Sequence, residues 1–302
     1  MSFVAFSGAV QLGLIFALLA LGIFVNYRIL GVADLTVEGS FTLGAAISAV
    51  VTVAGQPLLG LMFAGVVGAA AGLITAFLQT RMRIQPILAG ILTMTALYSV
   101  NLAIMGGRAN VSLLREDTLF TILGSFIGSV QLWRFLLPLA LALLVMAALG
   151  VFFHTKLGLS VRATGDNPDM VRASSISVTV TKSIGLMIGN CVAGLSGGII
   201  AQYQGFADIG MGFGMVVVAL ASLIIGETIF GRRGVVWNII AVALGAIIYR
   251  IILALVLSFR LNPANIRAIS ALIVTLAISY PAIKNLWVTY RLKRRGARDA
   301  RV

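Results

Sequence analysis

The sequence predicts an all-α membrane protein with about nine transmembrane helices, and three observations lead to this prediction. Of its 302 residues, 60% are hydrophobic and only 10% are charged, and the mean hydropathy is +1.08. A soluble domain carries roughly 25% charged residues, so this chain has too little charge to surround a water-soluble core. Apolar stretches of about 20 residues, the length that crosses a bilayer, recur along the chain.

Nine stretches are long and apolar enough to be spans, and turn-forming residues such as Gly55, Pro57, Pro86 and Pro263 separate several of them. The start of the chain lacks the basic segment of a secretory signal, so we expect the first span to be retained. The predicted spans cover residues 8–27, 34–54, 58–80, 86–105, 133–153, 183–204, 212–230, 235–257 and 266–287.

The placement of Lys and Arg predicts the orientation. With the N terminus outside, 16 of the 22 basic residues fall on the cytoplasmic side, 5 fall outside and Arg250 lies within a span. Cytoplasmic loops carry the excess of positive charge, so we expect an N-outside, C-inside topology. Residues 1–290 then form one transmembrane domain, and residues 291–302 form a basic cytoplasmic tail facing anionic lipid. The alternative for the tail is a topology anchor without lipid recognition.

Glycine spacing and a short internal similarity bear on how the spans pack. The pairs Gly68/Gly72, Gly185/Gly189 and Gly194/Gly198 have the spacing that lets membrane helices approach closely. Residues 33–35 (Ala-Asp-Leu) open the second span, and residues 207–209 (Ala-Asp-Ile) precede the seventh. This predicts inverted repeats, with spans 1–4 related to spans 6–9. Chance similarity is the alternative, because the match is short.

Residues 154–182 form a polar loop on the predicted cytoplasmic side. Gly165 is expected to make a turn, and Asp166 or Asn167 can cap a helix that begins at Pro168. Asp169 complements the positive end of that helix's dipole. We therefore predict a short helix over about 168–176, either a docking helix for a cytoplasmic partner or an interfacial turn.

The same loop carries a family resemblance. The run from Arg162 to Arg172, followed by Lys182 and by residues 194–198, resembles the coupling loop of the branched-chain amino-acid/ribose permease family of ABC importers. Residues 32–40 resemble a second stretch of that family, at the start of an early span. The chain departs from the family at Ser175, where glycine is usual, and in lacking an N-inside first span.

This resemblance implies the partners and cofactors. We expect a homodimer in a bacterial inner membrane, served by a cytoplasmic ABC ATPase subunit and an extracytoplasmic solute-binding protein. ATP and Mg would bind the partner ATPase, and no cofactor would bind this chain. The resemblance assigns the contact with the ATPase to Arg162, Gly165, Asp166, Asn167, Pro168, Asp169 and Arg172. Residues 106–111, 201–208, 211–215 and 224–227 are similar to a subgroup linked to tryptophan or tyrosine uptake.

Polar residues inside the spans are candidates for a translocation path, because a charge at mid-bilayer costs about 2.5–3.5 kcal/mol. Several have simpler alternatives: Asp34 can cap a helix, Glu38 can pair with Arg28, and Arg250 can snorkel. For the asparagines, helix packing is the alternative. The path candidates are Asp34, Glu38, Asn101, Asn190 and Arg250.

Three arginines on the outer side, Arg108, Arg115 and Arg134, are candidates for docking the binding protein, since complementary charge sets the register of a complex. The alternative for these arginines is solvated loop charge.

Motifs for catalysis are absent from the sequence. It contains no GxxxxGK[ST], GxSxG, HExxH or CxxC pattern, and only one cysteine, Cys191, and one histidine, His154. We therefore expect no enzyme activity, no metal site and no nucleic-acid partner. The expected function is import of a small solute, in particular an amino acid. The alternatives are a stand-alone secondary transporter or channel, and a membrane scaffold.

Overall fold

The structure, a computed structural model, describes residues 3–126 and 128–258 together with Leu272, Thr275 and Ser279. Between residues 3 and 258 it contains eleven α-helices and two short strands. The helices are α1 (Phe3–Ile23), α2 (Thr36–Val53), α3 (Pro57–Thr80), α4 (Pro86–Ile104), α5 (Leu119–Phe126), α6 (Val130–Phe152), α7 (Lys156–Asp166), α8 (Pro168–Ala173), α9 (Val178–Gln204), α10 (Met215–Phe230) and α11 (Val235–Leu257). The strands are β1 (Asn110–Ser112) and β2 (Phe206–Asp208).

Seven helices are long and apolar enough to cross a membrane, which confirms the prediction of a helical membrane protein. They are α2, α3, α4, α6, α9, α11 and α1, the last with a π-helical continuation over Phe24–Ile29. The predicted span 212–230 corresponds to α10, which has only 16 residues. Apart from Leu272, Thr275 and Ser279, the predicted ninth span, 266–287, lies outside the described residues, as does the tail 291–302.

Helices α2, α3 and α9 pack closely through glycines. A Cβ on Gly44 of α2 would meet the backbone of Gly194 in α9, and a Cβ on Gly194 would meet the carbonyl oxygen of Ala64 in α3. Gly68 of α3 faces the carbonyl oxygen of Asn190 in the same way. Small residues at these positions let the backbones touch, as the predicted spacing requires.

Helix α1 lies in the interior of the bundle, between α9 and α11. Gly22 of α1 approaches the backbone of Gly189 in α9, and Gly13 approaches Ile247 in α11. At the start of the π-helical segment, Phe24 meets Phe153 edge to face, with ring centroids 6.5 Å apart. This central position makes α1 the most buried of the apolar helices.

The two polar stretches of the sequence contain more structure than predicted. Residues 106–132 include β1 and α5, and β1 pairs antiparallel with β2. Residues 154–182 include α7, α8 and the start of α9. These two regions lie at opposite ends of α9, so we call them the strand end and the α8 end of the bundle.

The predicted turn at Gly165 is wrong, because Gly165 lies within α7. A Cβ at this position would collide with the carbonyl oxygen of Ile29. Glycine is therefore needed for the close packing of α7 against the end of the first span. The helix predicted over 168–176 begins at Pro168 as expected and ends three residues early, at Ala173. Two residues beyond that end, Ser175 adopts a left-handed φ of 60°.

Candidate functional site

The described residues form a cavity of about 170 Å³ between α2, α4 and the segment that precedes α10. Carboxylate, amide and hydroxyl groups share its lining with aromatic and aliphatic side chains. The lining residues are Glu38, Gly39, Thr42, Met94, Thr95, Tyr98, Asn101, Ile209, Gly212 and Phe213. A mainly apolar pocket with a few convergent polar groups is the usual form of a small-molecule site.

The segment between α9 and α10 folds back into the bundle beside α2. A Cβ on Gly212 would meet the carbonyl oxygen of Glu38 and the hydroxyl of Thr42, so only glycine permits this approach. Oε1 of Glu38 accepts hydrogen bonds from the backbone N–H groups of Gly214 (3.0 Å) and Val216 (3.3 Å). A carboxylate is favourable at the positive end of a helix dipole. Helix α10 therefore begins inside the bundle, next to the cavity.

Helix α2 also begins inside the bundle. The hydroxyl of Thr36 lies 2.7 Å from that of Thr75, which in turn donates to Thr93 at 3.0 Å. Thr75 precedes the end of α3 by five residues, or about 7.5 Å at the rise of an α-helix. Two helices thus start within the bundle and near one cavity, an arrangement in which discontinuous helices build transporter sites.

Asp34 lies in a buried polar network away from the cavity. Its Oδ1 accepts from the backbone N–H of Thr36 at 2.9 Å, which caps the start of α2. Its Oδ2 accepts from Asn26 (2.9 Å) and Asn190 (2.7 Å), and Asn190 also accepts from Ser40 at 2.7 Å. This network joins α1, α2 and α9 at their crossing, where hydrogen bonding offsets the burial of polar groups.

Arg250 lies on the opposite side of α1 from this network, in α11. Its guanidinium carbon sits 3.6 Å from the centroid of the Phe16 ring, a cation–π contact. Its Nε has no hydrogen-bond partner among the described residues. Arg250 is not among the residues that line the cavity.

Arg28 does not pair with Glu38. Its Nε lies 2.8 Å from Oε1 of Glu227, without the alignment of a hydrogen bond. Oε2 of the same carboxylate accepts from Arg232, with Nε at 2.7 Å and a second guanidinium nitrogen at 2.6 Å. Glu227 is buried, so these two arginines neutralise it and link the end of the first span to the end of α10.

The seven residues that the family resemblance singles out lie together at the α8 end. Oδ1 of Asn167 accepts from the backbone N–H groups of Asp169 and Met170, both at 3.1 Å, and so caps α8. Asp169 and Arg172 form an exposed ion pair at 2.8 Å, of a kind that contributes little to stability. Buried Val171 anchors α8, while Met170 is exposed. Arg162, Gly165 and Asp166 belong to α7, while Pro168, Asp169 and Arg172 belong to α8.

The three arginines predicted to lie on the outer side, Arg108, Arg115 and Arg134, are exposed at the strand end. Arg134 lies over the ring of Tyr203, 5.6 Å from its centroid, and the Tyr203 hydroxyl donates to Gln11 at 2.8 Å. Among the described residues, none of the three forms an ion pair with Glu116 or Asp117. Arg108 and Arg115 therefore remain available for a partner.

Sequence reasoning missed most of the cavity lining. Met94, Thr95 and Tyr98 look like ordinary residues of an apolar span, and only their position beside α2 makes them part of the site. The sequence did carry a signal for the cavity wall formed by residues 209–213. Glycines recur between Gly205 and Gly214, where two apolar stretches meet, and this pattern indicates an interrupted helix.

The described residues contain no cluster of His, Cys, Asp or Glu side chains that could hold a metal ion. Comparison with known proteins places this architecture in a family. Residues 5–279 match the family model described as branched-chain amino acid transport system / permease component. No solved structure matches the chain.

Three relatives illustrate the range of the family. A tyrosine transport system permease protein of Clostridioides difficile is 34% identical over 94% of this chain and 92% of its own length. The uncharacterized protein RP368 of Rickettsia prowazekii is 36% identical over 90% of this chain and 95% of its own. The ribose import permease protein RbsC of Escherichia coli is 26% identical over 84% and 76%. This chain is therefore a multi-pass inner-membrane protein that belongs to the branched-chain amino acid transport permease family of ABC transporters.

Proposed function

We propose that this chain is the permease subunit of an ATP-driven importer and that it carries an aromatic amino acid through the cavity between α2, α4 and the 209–213 segment. The observation that carries the proposal is this cavity, placed where two helices start inside the bundle of an ABC permease. The relative whose name gives tyrosine as its substrate supports the choice of solute.

The chemistry of the cavity fits such a solute. Tyr98, Phe213 and Met94 offer aromatic and aliphatic surface for a ring. Glu38 offers a carboxylate for the α-ammonium group, and Oδ1 of Asn101 has no hydrogen-bond partner among the described residues. One end of the solute would meet charge and the other would meet apolar surface.

A homodimer would complete the site. Tyr98 and Phe213 line the cavity and yet are 46% and 52% exposed, so one chain closes it only in part. The neighbouring face of α4 also exposes Leu88, Ile91 and Leu92. A second copy packed on this face would bury apolar surface and shield the solute from lipid.

The N-outside topology and the inverted repeats belong to the same proposal. Asp34 and Asp208 make equivalent turns, each accepting a hydrogen bond from the backbone N–H two residues later. Helix α3 packs along α9 as α11 packs along α1, and α2 packs on α3 as α10 packs on α11. These equivalences support a two-fold relation between α1–α3 and α9–α11.

Coupling to ATP would occur at the α8 end, on the cytoplasmic side. The exposed, capped α8 and its links to α7 and α9 provide a rigid element on which an ATPase subunit can push. ATP and Mg would bind that subunit, and Arg108, Arg115 and Arg134 would face a solute-binding protein at the strand end.

Affinity purification from the native membrane tests the proposal. A tagged chain is expected to retain a stoichiometric P-loop ATPase. Vesicles that contain both, with the solute-binding protein outside, are expected to take up labelled tyrosine only with ATP inside. Asp166→Ala and Arg172→Ala are expected to reduce uptake. Absence of any copurifying ATPase, together with unchanged uptake in both variants, would sink the proposal. Uptake driven by an ion gradient alone would favour a stand-alone transporter.

A further inference from the structure

A second cavity lies at the α8 end, between the end of α3 and the start of α9. Its volume is about 670 Å³ and it is separate from the solute cavity. We call it the basic cleft, since the residues that line it include Gln79, Arg83, Arg172, Ser177 and Lys182 but no acidic side chain. Apart from Arg172, which belongs to α8, the proposed transport function gives the lining residues of this cleft no role.

Two of the three cationic side chains in the basic cleft lack an acidic partner among the described residues. Arg172 pairs with exposed Asp169, whereas Arg83 and Lys182 have no ion-pair partner in the described part of the chain. Three cationic side chains that converge on one concave surface repel each other. Such a group is stabilised when an anion binds between them.

Uncharged donors of the basic cleft also lack acceptors. Both polar atoms of the Gln79 side chain are buried and have no hydrogen-bond partner among the described residues. The backbone N–H groups of Val178 and Thr179, at the start of the 27-residue helix α9, donate to no acceptor within 3–126 and 128–258. A buried amide without a partner costs roughly 1–3 kcal/mol, so an oxygen-rich ligand would relieve this cost.

The basic cleft lies close to the ends of two spans, at the level where a membrane surface is expected. Gln79 is one residue from the end of α3, and Lys182 is four residues after the first residue of α9, about 6 Å along the helix. The side chains of Met82 and Val180, next to the cleft, are apolar and exposed. A bound group could therefore place a charged part in the cleft and an apolar part against these side chains.

We propose that the basic cleft binds a phosphate group, carried by an anionic lipid or free in the cytosol. Arg83 and Lys182 would hold its oxygens by charge-assisted hydrogen bonds, with further donation from Gln79 and from the start of α9. The proposal does not depend on the transported solute or on ATP-driven import.

Ligand titration of the purified full chain in a neutral detergent tests this site. The probes are dioctanoyl phosphatidylglycerol, dioctanoyl phosphatidylcholine and inorganic phosphate, with binding counted by native mass spectrometry. We expect Arg83→Gln and Lys182→Gln each to weaken binding of the anionic probe about tenfold, the usual effect of losing one charge-assisted hydrogen bond. Arg81→Gln, two residues from Arg83 and outside the cleft, is the matched control and is expected to bind normally.

The outcomes distinguish a lipid ligand from a soluble anion, and both from the absence of a site. Cleft-dependent binding of phosphatidylglycerol but not of inorganic phosphate supports a lipid ligand, and comparable binding of both supports a phosphate site open to soluble anions. No binding of either anionic probe, or equal losses in Arg81→Gln and the two cleft variants, overturns the proposal. Arg83 is exposed in the loop between α3 and α4, so its variant tests the site even if Lys182→Gln does not fold.

Discussion

At the scale of single residues, Glu38 contacts both the solute cavity and the start of α10. Its Oε1 accepts two backbone N–H groups of the α10 start, and its carboxylate also lines the cavity. Replacing Glu38 with glutamine separates these two contacts, because the glutamine amide retains a carbonyl oxygen but carries no charge.

Glu38→Gln is therefore expected to fold normally and to lose transport. The retained oxygen keeps the cap on α10, whereas loss of the charge removes the proposed partner of the solute's ammonium group, lowering uptake about tenfold. Glu38→Ala should also lose the cap, which costs about 0.5–2 kcal/mol. Vesicle uptake and thermal unfolding of both variants check this. Wild-type uptake by Glu38→Gln would remove Glu38 from the path.

Ser175 is a strained position at which the family usually has glycine. Its φ of 60° lies in the left-handed region, where a side chain costs about 1 kcal/mol relative to glycine. We expect Ser175→Gly to raise the free energy of unfolding by up to about 1 kcal/mol, because relief of this strain outweighs the freedom that glycine adds to the unfolded chain. Ser174→Gly, at a φ of −85°, is the control and should not stabilise the protein. A lower Tm for Ser175→Gly would contradict this explanation.

At the scale of elements, α8 depends on its cap, because six residues form too few internal hydrogen bonds to be stable alone. Asn167→Ala removes the acceptor for two backbone N–H groups and should cost about 1 kcal/mol of local stability. If α8 transmits motion from an ATPase, ATP-driven uptake should fall several-fold while the Tm of the bundle changes little.

Asn167→Asp is the matched control for this experiment, since aspartate also caps helices well. It is expected to retain uptake close to that of the unmodified chain. Equal uptake by Asn167→Ala and Asn167→Asp would show that the order of α8 does not matter for coupling.

At the scale of the whole molecule, backbone contact between α2, α3 and α9 holds the bundle together. Gly44→Ala would place a methyl group against the backbone of Gly194, and overpacking of this kind costs about 1–3 kcal/mol. We expect a lower Tm in detergent for this variant. Gly150→Ala, in α6 with no atom within 4 Å of the added carbon, is the control and should leave Tm unchanged or slightly higher.

Much of the fold follows from local rules that a sequence displays. Hydropathy locates the spans because bilayer thickness sets their length, and Asn167 with Pro168 marks the start of α8 because capping acts within one turn. Helix α7 was not predicted, because a glycine such as Gly165 is typical of a turn in sequence. In the structure, Gly165 lies in a helix and leaves room for the carbonyl oxygen of Ile29. That role depends on a neighbour 136 positions earlier in the chain.

The sequence alone determined that this protein lies in a membrane, that its helices pack through glycine and that α8 is capped, because composition, spacing and capping are local properties. Only the tertiary structure decided that Glu38 faces the cavity while Asp34, four residues earlier, is held by Asn26 and Asn190. It also decided that Arg28 pairs with Glu227. The partner of a buried polar group depends on which helices cross beside it, and such crossings join residues far apart in the chain.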